Sequence, residues 1–143
     1  PSTITRLQNM GTPDYLISAA CSLVLAQRLA RKTCKDCRVP DEDVTPKVLT
    51  DLGFSPEQAS RVKATKGKGC PKCKDTGYKG RQGIYEILVV TKPIKEAILR
   101  QATTPELKEI ALKEGFQTMQ DMGRRMIANG ELSFREYERV LSS

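Results

Sequence analysis

The chain has 143 residues, 24 Lys and Arg against 17 Asp and Glu, and no His. Without His the commonest general base is missing and metal ligands must be Cys or carboxylate, so an active site complete within this chain is not expected. No uncharged apolar run approaches the ~18 residues of a membrane span, and the opening Pro1-Ser2-Thr3-Ile4-Thr5-Arg6 has no signal-peptide layout and no Met, so the chain reads as a piece excised from a longer one.

Residues 1–33 read as helix. Ile4, Leu7 and Met10 fall on one face, and Gly11 stops the first segment. Thr12-Pro13 looks like an N-cap followed by Pro at the first helical position, with Asp14 favourable at the positive helix end. Leu16, Ala19, Ala20, Leu23, Ala26, Gln27 and Ala30 continue at helical spacing, widened by Ile17, Val24 and Leu25, which predicts a well-buried helix. Arg28, Arg31 and Lys32 suit its C-terminal end.

Residues 34–90 form a cysteine module. Thr45-Pro46 opens a short helix that Gly53 closes, and Ser55-Pro56-Glu57 opens another. Thr76 to Gly83 reads as a turn or hairpin, and the β-branched and aromatic run Ile84 to Val90 as a strand.

Residues 91–143 read as small capped helices. Pro93 starts one and Thr104-Pro105-Glu106 another; a third runs from Thr118 to Asn129-Gly130. Its Met119, Met122 and Met126 are expected in the core. Ser133 caps a fourth, with Glu136 completing a capping box.

The sharpest signal is Cys34-Lys-Asp-Cys37 and Cys70-Pro-Lys-Cys73. A Cys-x-x-Cys turn places two sulfurs on one side of a tight knuckle, and two knuckles supply the tetrahedral corners of a closed Zn²⁺ site. Four protein ligands leave no position for water, so the zinc is structural rather than catalytic. A rubredoxin-like iron site, redox dithiol pairs, and free or paired cysteines are the alternatives. Two close pairs favour metal binding in a reducing compartment, hence a cytoplasmic protein. Lys35, Lys72 and Lys74 offset the charge of the thiolates, and Cys21 reads as a small core residue. With four thiolates around one dication, the formal charge of +7 falls to about +5. The positive charge and the basic run Lys63 to Lys74 raise a zinc-ribbon nucleic-acid binder as an alternative. Only Tyr78 and Tyr85 lie near the site to stack on bases, so no nucleic acid is expected.

Several segments resemble the secretion ATPases, the hexameric motors of type IV pilus assembly and type II secretion. They are Ile4 to Gly11, Leu25 to Leu29, the two cysteine pairs, and Gly77-Tyr78-Lys79-Gly80-Arg81-Gln82-Gly83-Ile84-Tyr85-Glu86. The cysteine-rich form and the Gly-Tyr-Lys-Gly-Arg run look most like the pilus assembly branch. The resemblance implies an α+β fold, mostly helical, in three parts: 1–33 as the tail of a RecA-like P-loop domain, 34–90 as a zinc module with a short hairpin, and 91–143 as a C-terminal helical subdomain. The chain has no phosphate-binding Gly-rich loop, no Walker B strand and no histidine box. ATP and Mg²⁺ then belong to the full-length parent, and this stretch alone is expected to be inactive. The resemblance further implies contacts with other subunits of a homohexamer and with the inner-membrane platform protein. Arg28 and Arg31 are candidates to approach a nucleotide or neighbouring subunit, or simply to complement a helix end. Lys79 and Arg81 are candidates for an acidic partner, or are solvated.

Overall fold

The computed structural model describes residues 1–142. Eight α-helices and four strands follow one another along these described residues. Helices α1 (Ser2–Asn9) and α2 (Asp14–Ala20) lead into strand β1 (Leu23–Thr33). Strand β2 (Arg38–Pro40), α3 (Pro46–Asp51), α4 (Pro56–Arg61), β3 (Thr65–Gly67) and a single 3₁₀ turn (Pro71–Cys73) come next. Strand β4 (Tyr78–Val89) precedes α5 (Lys92–Leu99), α6 (Thr104–Lys113), α7 (Met119–Ala128) and α8 (Phe134–Leu141).

The expected helix over 1–33 stops at Ala20. Leu23 to Thr33 is a strand paired with β4. Val90 N donates to Ser22 O (2.9 Å) beyond one end of the pair, and Cys34 N donates to Gly77 O (2.9 Å) beyond the other, so the two strands run antiparallel. Leu, Ala, Gln and Arg are good helix formers, and their spacing here fits a period of 3.6 as well as a period of 2. Pairing with the β-branched run of β4 overrides that propensity. The inward positions are the alternate ones, Val24, Ala26, Ala30 and Lys32. Arg28, Arg31 and Lys32 therefore lie on a strand and end no helix of their own.

Residues 76–83 also differ from the expected turn or hairpin. The expected hairpin is absent: the turn ends at Gly77, and Tyr78 to Gly83 is the first half of the single strand β4.

The local signals between the cysteine pairs behave as read. Thr45 caps α3, accepting from Val48 N. Ser55 and Gln58 form a capping box on α4. Beyond that module, the start expected at Thr104-Pro105-Glu106 shifts by one residue, with Thr103 capping α6 in a box with Glu106.

The chain divides into two compact units whose boundaries fall inside β1 and β4. One unit is Pro1–Ala26 with Tyr85–Thr118; the other is Gln27–Ile84 with the chain from Met119 onward. The first is built on Ile4, Ile17, Leu88, Ile94, Ile98 and Leu107, with Cys21 packed at its margin. The second is built on Ala30, Leu49, Ile84, Met126, Ile127 and Leu132, with Met119 and Met122 packed against it. The helices after Met119 thus group with the cysteine segment.

Candidate metal centre

The two knuckles are brought together by backbone pairing on both sides. Cys34 immediately follows β1, and Cys37 immediately precedes β2. Strands β2 and β3 pair antiparallel with Arg38 opposite Gly67. Continuing that register sets Cys37 beside Lys68, whose N–H donates to Cys37 O at 2.9 Å. On the other side, Gly77 leaves the second knuckle and receives Cys34 N. The second knuckle turns through its 3₁₀ turn and two left-handed residues, Lys74 (φ 53°) and Asp75 (φ 59°). The approach is so close that a Cβ on Gly67 would lie 2.0 Å from Gly77 O, so only glycine fits at that crossing.

The four sulfurs of Cys34, Cys37, Cys70 and Cys73 all lie within 4.8 Å of one another. Cys34 to Cys70 and Cys37 to Cys73 are 3.9 Å apart, and Cys70 to Cys73 is 3.7 Å. A tetrahedron with Zn–S bonds of ~2.3 Å has edges of about 3.8 Å. A disulfide would need ~2.05 Å. The donor set, spacing and burial fit a four-thiolate metal ion. Cys34 and Cys73 are buried, and Cys37 and Cys70 are half-buried.

Backbone amides point at the sulfurs. Gly69 N donates to Cys37 Sγ, and both Cys70 N and Gly77 N donate to Cys73 Sγ, each at 3.3 Å. Burial, joined by the neighbouring thiols, pushes Cys37 up to about 12 despite the Gly69 amide. Burial acts in the same direction on Cys73, but the Cys70 and Gly77 amides and the adjacent thiols outweigh it and bring Cys73 down to about 6. The crowded sulfurs and the amides around them thus push Cys37 and Cys73 in opposite directions. A dication in their midst favours the thiolate at every position. Lys72 Nζ donates to Asp36 Oδ1 at 2.9 Å, an ion pair between the two knuckles that holds the Asp36 carboxyl below its usual range.

The arginines singled out in the sequence have structural partners. Arg28 Nη1 donates to Val140 O on α8. Arg31 donates to Glu136 Oε2 from Nε (3.1 Å) and Nη2 (2.8 Å), and its guanidinium lies 4.2 Å above the centre of the Tyr78 ring. Arg31 also lines an open hollow with Arg81 and Arg139. Lys79 and Arg81 are exposed on β4.

The residue that sequence reasoning misplaced is Glu136. Ser133 Oγ does accept from Glu136 N at 3.2 Å, as a cap should. The carboxylate, however, does not complete a capping box. It is fully buried, accepts Arg31 N at 2.9 Å, and binds the guanidinium groups of Arg31 and Arg139. Burial alone would raise its pKa, but the Arg139 and Arg31 bonds overcome it and bring the group down to about 2. The Ser-x-x-Glu spacing hid this, because the same four residues satisfy the simpler local reading.

Comparison with known proteins supplies the family. The profile described as "Type II/IV secretion system protein" matches residues 1–139. The chain belongs to this family. It is 36% identical over 136 residues to the type IV pilus assembly ATPase PilB of Myxococcus xanthus, covering 95% of this chain and 24% of that protein. Against PilB of Thermus thermophilus the identity is 40% over 136 residues, covering 93% of this chain and 15% of the relative. The type II secretion system ATPase E of Vibrio cholerae is 34% identical over 138 residues, covering 96% of this chain and 26% of that ATPase. This secretion-family chain thus spans about a quarter or less of the length of these relatives. Among its described residues no helix is long and apolar enough to cross a membrane.

Proposed function

We propose that the chain is the C-terminal, non-catalytic portion of a type IV pilus assembly ATPase, stabilised by one structural Zn²⁺ on Cys34, Cys37, Cys70 and Cys73. The observation that carries the reading is a cluster of four sulfurs within 4.8 Å of one another inside a chain of the secretion ATPase family. The two PilB relatives above, at 36% and 40% identity, favour pilus assembly over type II secretion, whose ATPase stands at 34%.

In this reading the first compact unit is the tail of the RecA-like motor domain. A bare sheet face supports it. Leu23 and Leu25 on β1 and Tyr85, Ile87 and Val89 on β4 are 41–57% exposed, while the alternate residues Val24, Leu88 and Val90 pack into the unit's core. A sheet with one wet face alternates apolar with polar residues. This one is apolar on both faces, as a strand pair layered on both sides would be. The nucleotide-binding part of the motor is the layer proposed to cover it.

ATP and Mg²⁺ act in that part, since this chain has no Gly-rich phosphate loop. Nucleic acid has no role in the reading. The whole motor works as a homohexamer on the cytoplasmic side of the inner membrane, beside its platform protein. Lys79 and Arg81 are the exposed cations best placed for a neighbouring subunit or an acidic partner. Arg28 and Arg31 serve the interior of the second unit, with the outer edge of Arg31 open to the same hollow as Arg81.

Elemental analysis and an ATPase assay on the purified chain test the proposal together. One zinc per chain with no ATP turnover is expected. Turnover by the chain alone overturns the non-catalytic reading, and well-folded protein without metal overturns the zinc reading.

A further inference from the structure

Two cysteine knuckles need four arms of chain: one entering and one leaving each. All four arms bond to a single seven-residue segment far away in sequence, Gly130 to Glu136. Ahead of Cys34, Thr33 N donates to Glu131 O at 3.0 Å and Arg31 N to Glu136 Oε1 at 2.9 Å. Behind Cys37, Arg38 Nη1 donates to Gly130 O at 2.9 Å. Ahead of Cys70, Thr65 Oγ1 donates to the same carbonyl at 3.4 Å. Behind Cys73, the Tyr78 hydroxyl shares a 3.2 Å hydrogen bond with Ser133 Oγ.

The segment is itself anchored. Leu132, Ser133 and Glu136 are buried, and Gly130 sits at φ +75°, where a Cβ would meet Arg38 Nη1 at 2.9 Å. None of these residues is a ligand. Together they fix how far apart the arms stand, and so where the sulfurs converge.

We propose that Gly130–Glu136 is a strap that positions both knuckles, so that metal occupancy and docking of helices α7 and α8 are coupled. The proposal rests on the zinc reading above. Groups that hold metal ligands from behind commonly change affinity 10–100-fold when removed, and coupling between two sites acts in both directions. The ion therefore holds the C-terminal helices in place, and those helices slow its loss.

The test uses the 143-residue chain, with zinc content measured first. Folded wild-type protein without zinc would remove the metal reading itself. With zinc present, the rate of its transfer to a colorimetric chelator is compared for Glu136→Gln, Arg38→Met and Val140→Ala. The last variant loosens the same core without touching the strap bonds. Glu136→Gln is expected to release zinc about tenfold faster and Arg38→Met about threefold faster, with Val140→Ala close to wild type. Arg38 is exposed, so its variant decides the matter if Glu136→Gln does not fold. In the reverse direction, stripping zinc should speed amide exchange in α8 much more than in α6. Zinc-loaded variants that release at the wild-type rate, or only as fast as Val140→Ala, would overturn the strap. So would α8 exchange that is blind to zinc.

Discussion

The two compact units are held by different physics. The first is an apolar core of Ile4, Ile94, Ile98 and Leu107, all fully buried, with the Thr103–Glu106 capping box of α6 at its surface. The second has its own apolar core, but it also holds four thiols within 4.8 Å of one another and a fully buried carboxylate between two arginines. Apolar burial is non-directional and tolerates change in proportion to the area lost. Thiolates and carboxylates withdrawn from water are tolerable only while every partner is in place. The first unit should therefore fail gradually and the second abruptly.

The largest expected effect is metal removal. Structural zinc in small modules contributes on the order of 10–16 kcal/mol, more than the whole stability of a typical domain. Chelation, or Cys73→Ser, should unfold residues 34–78 while exchange protection persists in α5 and α6, read by hydrogen exchange with mass spectrometry. Equal loss in both units would dissolve the contrast.

Leu107→Ala in the first unit should cost about 2–4 kcal/mol by the cavity it leaves and leave the zinc content unchanged. Denaturant unfolding alongside metal analysis measures both. Zinc loss in this variant would mean that the two units unfold as one.

Acid tests the buried carboxylate. The folded-state pKa of Glu136 is depressed to about 2 from 4.5. Its contribution, about 2 kcal/mol after allowance for half-exposed arginine partners, is thus fully present above pH ~5 and is lost as pH falls towards 2. The stability gap between wild type and Glu136→Gln should close over that window. Thiolate protonation releases metal in the same range, so the two proteins are compared at equal zinc occupancy.

The smallest effect should come from the exposed cations. Lys79→Ala and Arg81→Ala should change stability by less than ~0.5 kcal/mol. Any marked loss of subunit association in a full-length relative carrying the matching changes would then report a contact rather than folding.

Local signals carried far in this chain. The Cys-x-x-Cys spacing, the Thr45 and Ser55 caps and the methionines of α7 were legible because each depends on a few neighbouring residues. What failed was non-local. Leu23 to Thr33 has helix-forming composition and an ambiguous period, and only a partner some fifty residues downstream makes it a strand. Tyr78 to Gly83 has the glycines of a hairpin, yet it continues β4. Glu136 sits where a capping glutamate belongs, and only the approach of Arg31 from β1 turns its carboxylate inward.

The sequence by itself determined the four ligands and their chemistry, because thiolate donors two apart in a knuckle depend on covalent spacing. It also determined the starts of α3, α4 and α8, because a cap satisfies amides within one turn; the Thr12 cap expected before Pro13 is absent, and Pro13 itself precedes α2. Tertiary structure alone decided that the knuckles meet, that β1 is a strand, and that the segment from Gly130 to Glu136 clasps all four arms around the sulfurs. Each of those outcomes pairs groups separated by tens of residues, and their energy appears only when the chain has closed the loop between them.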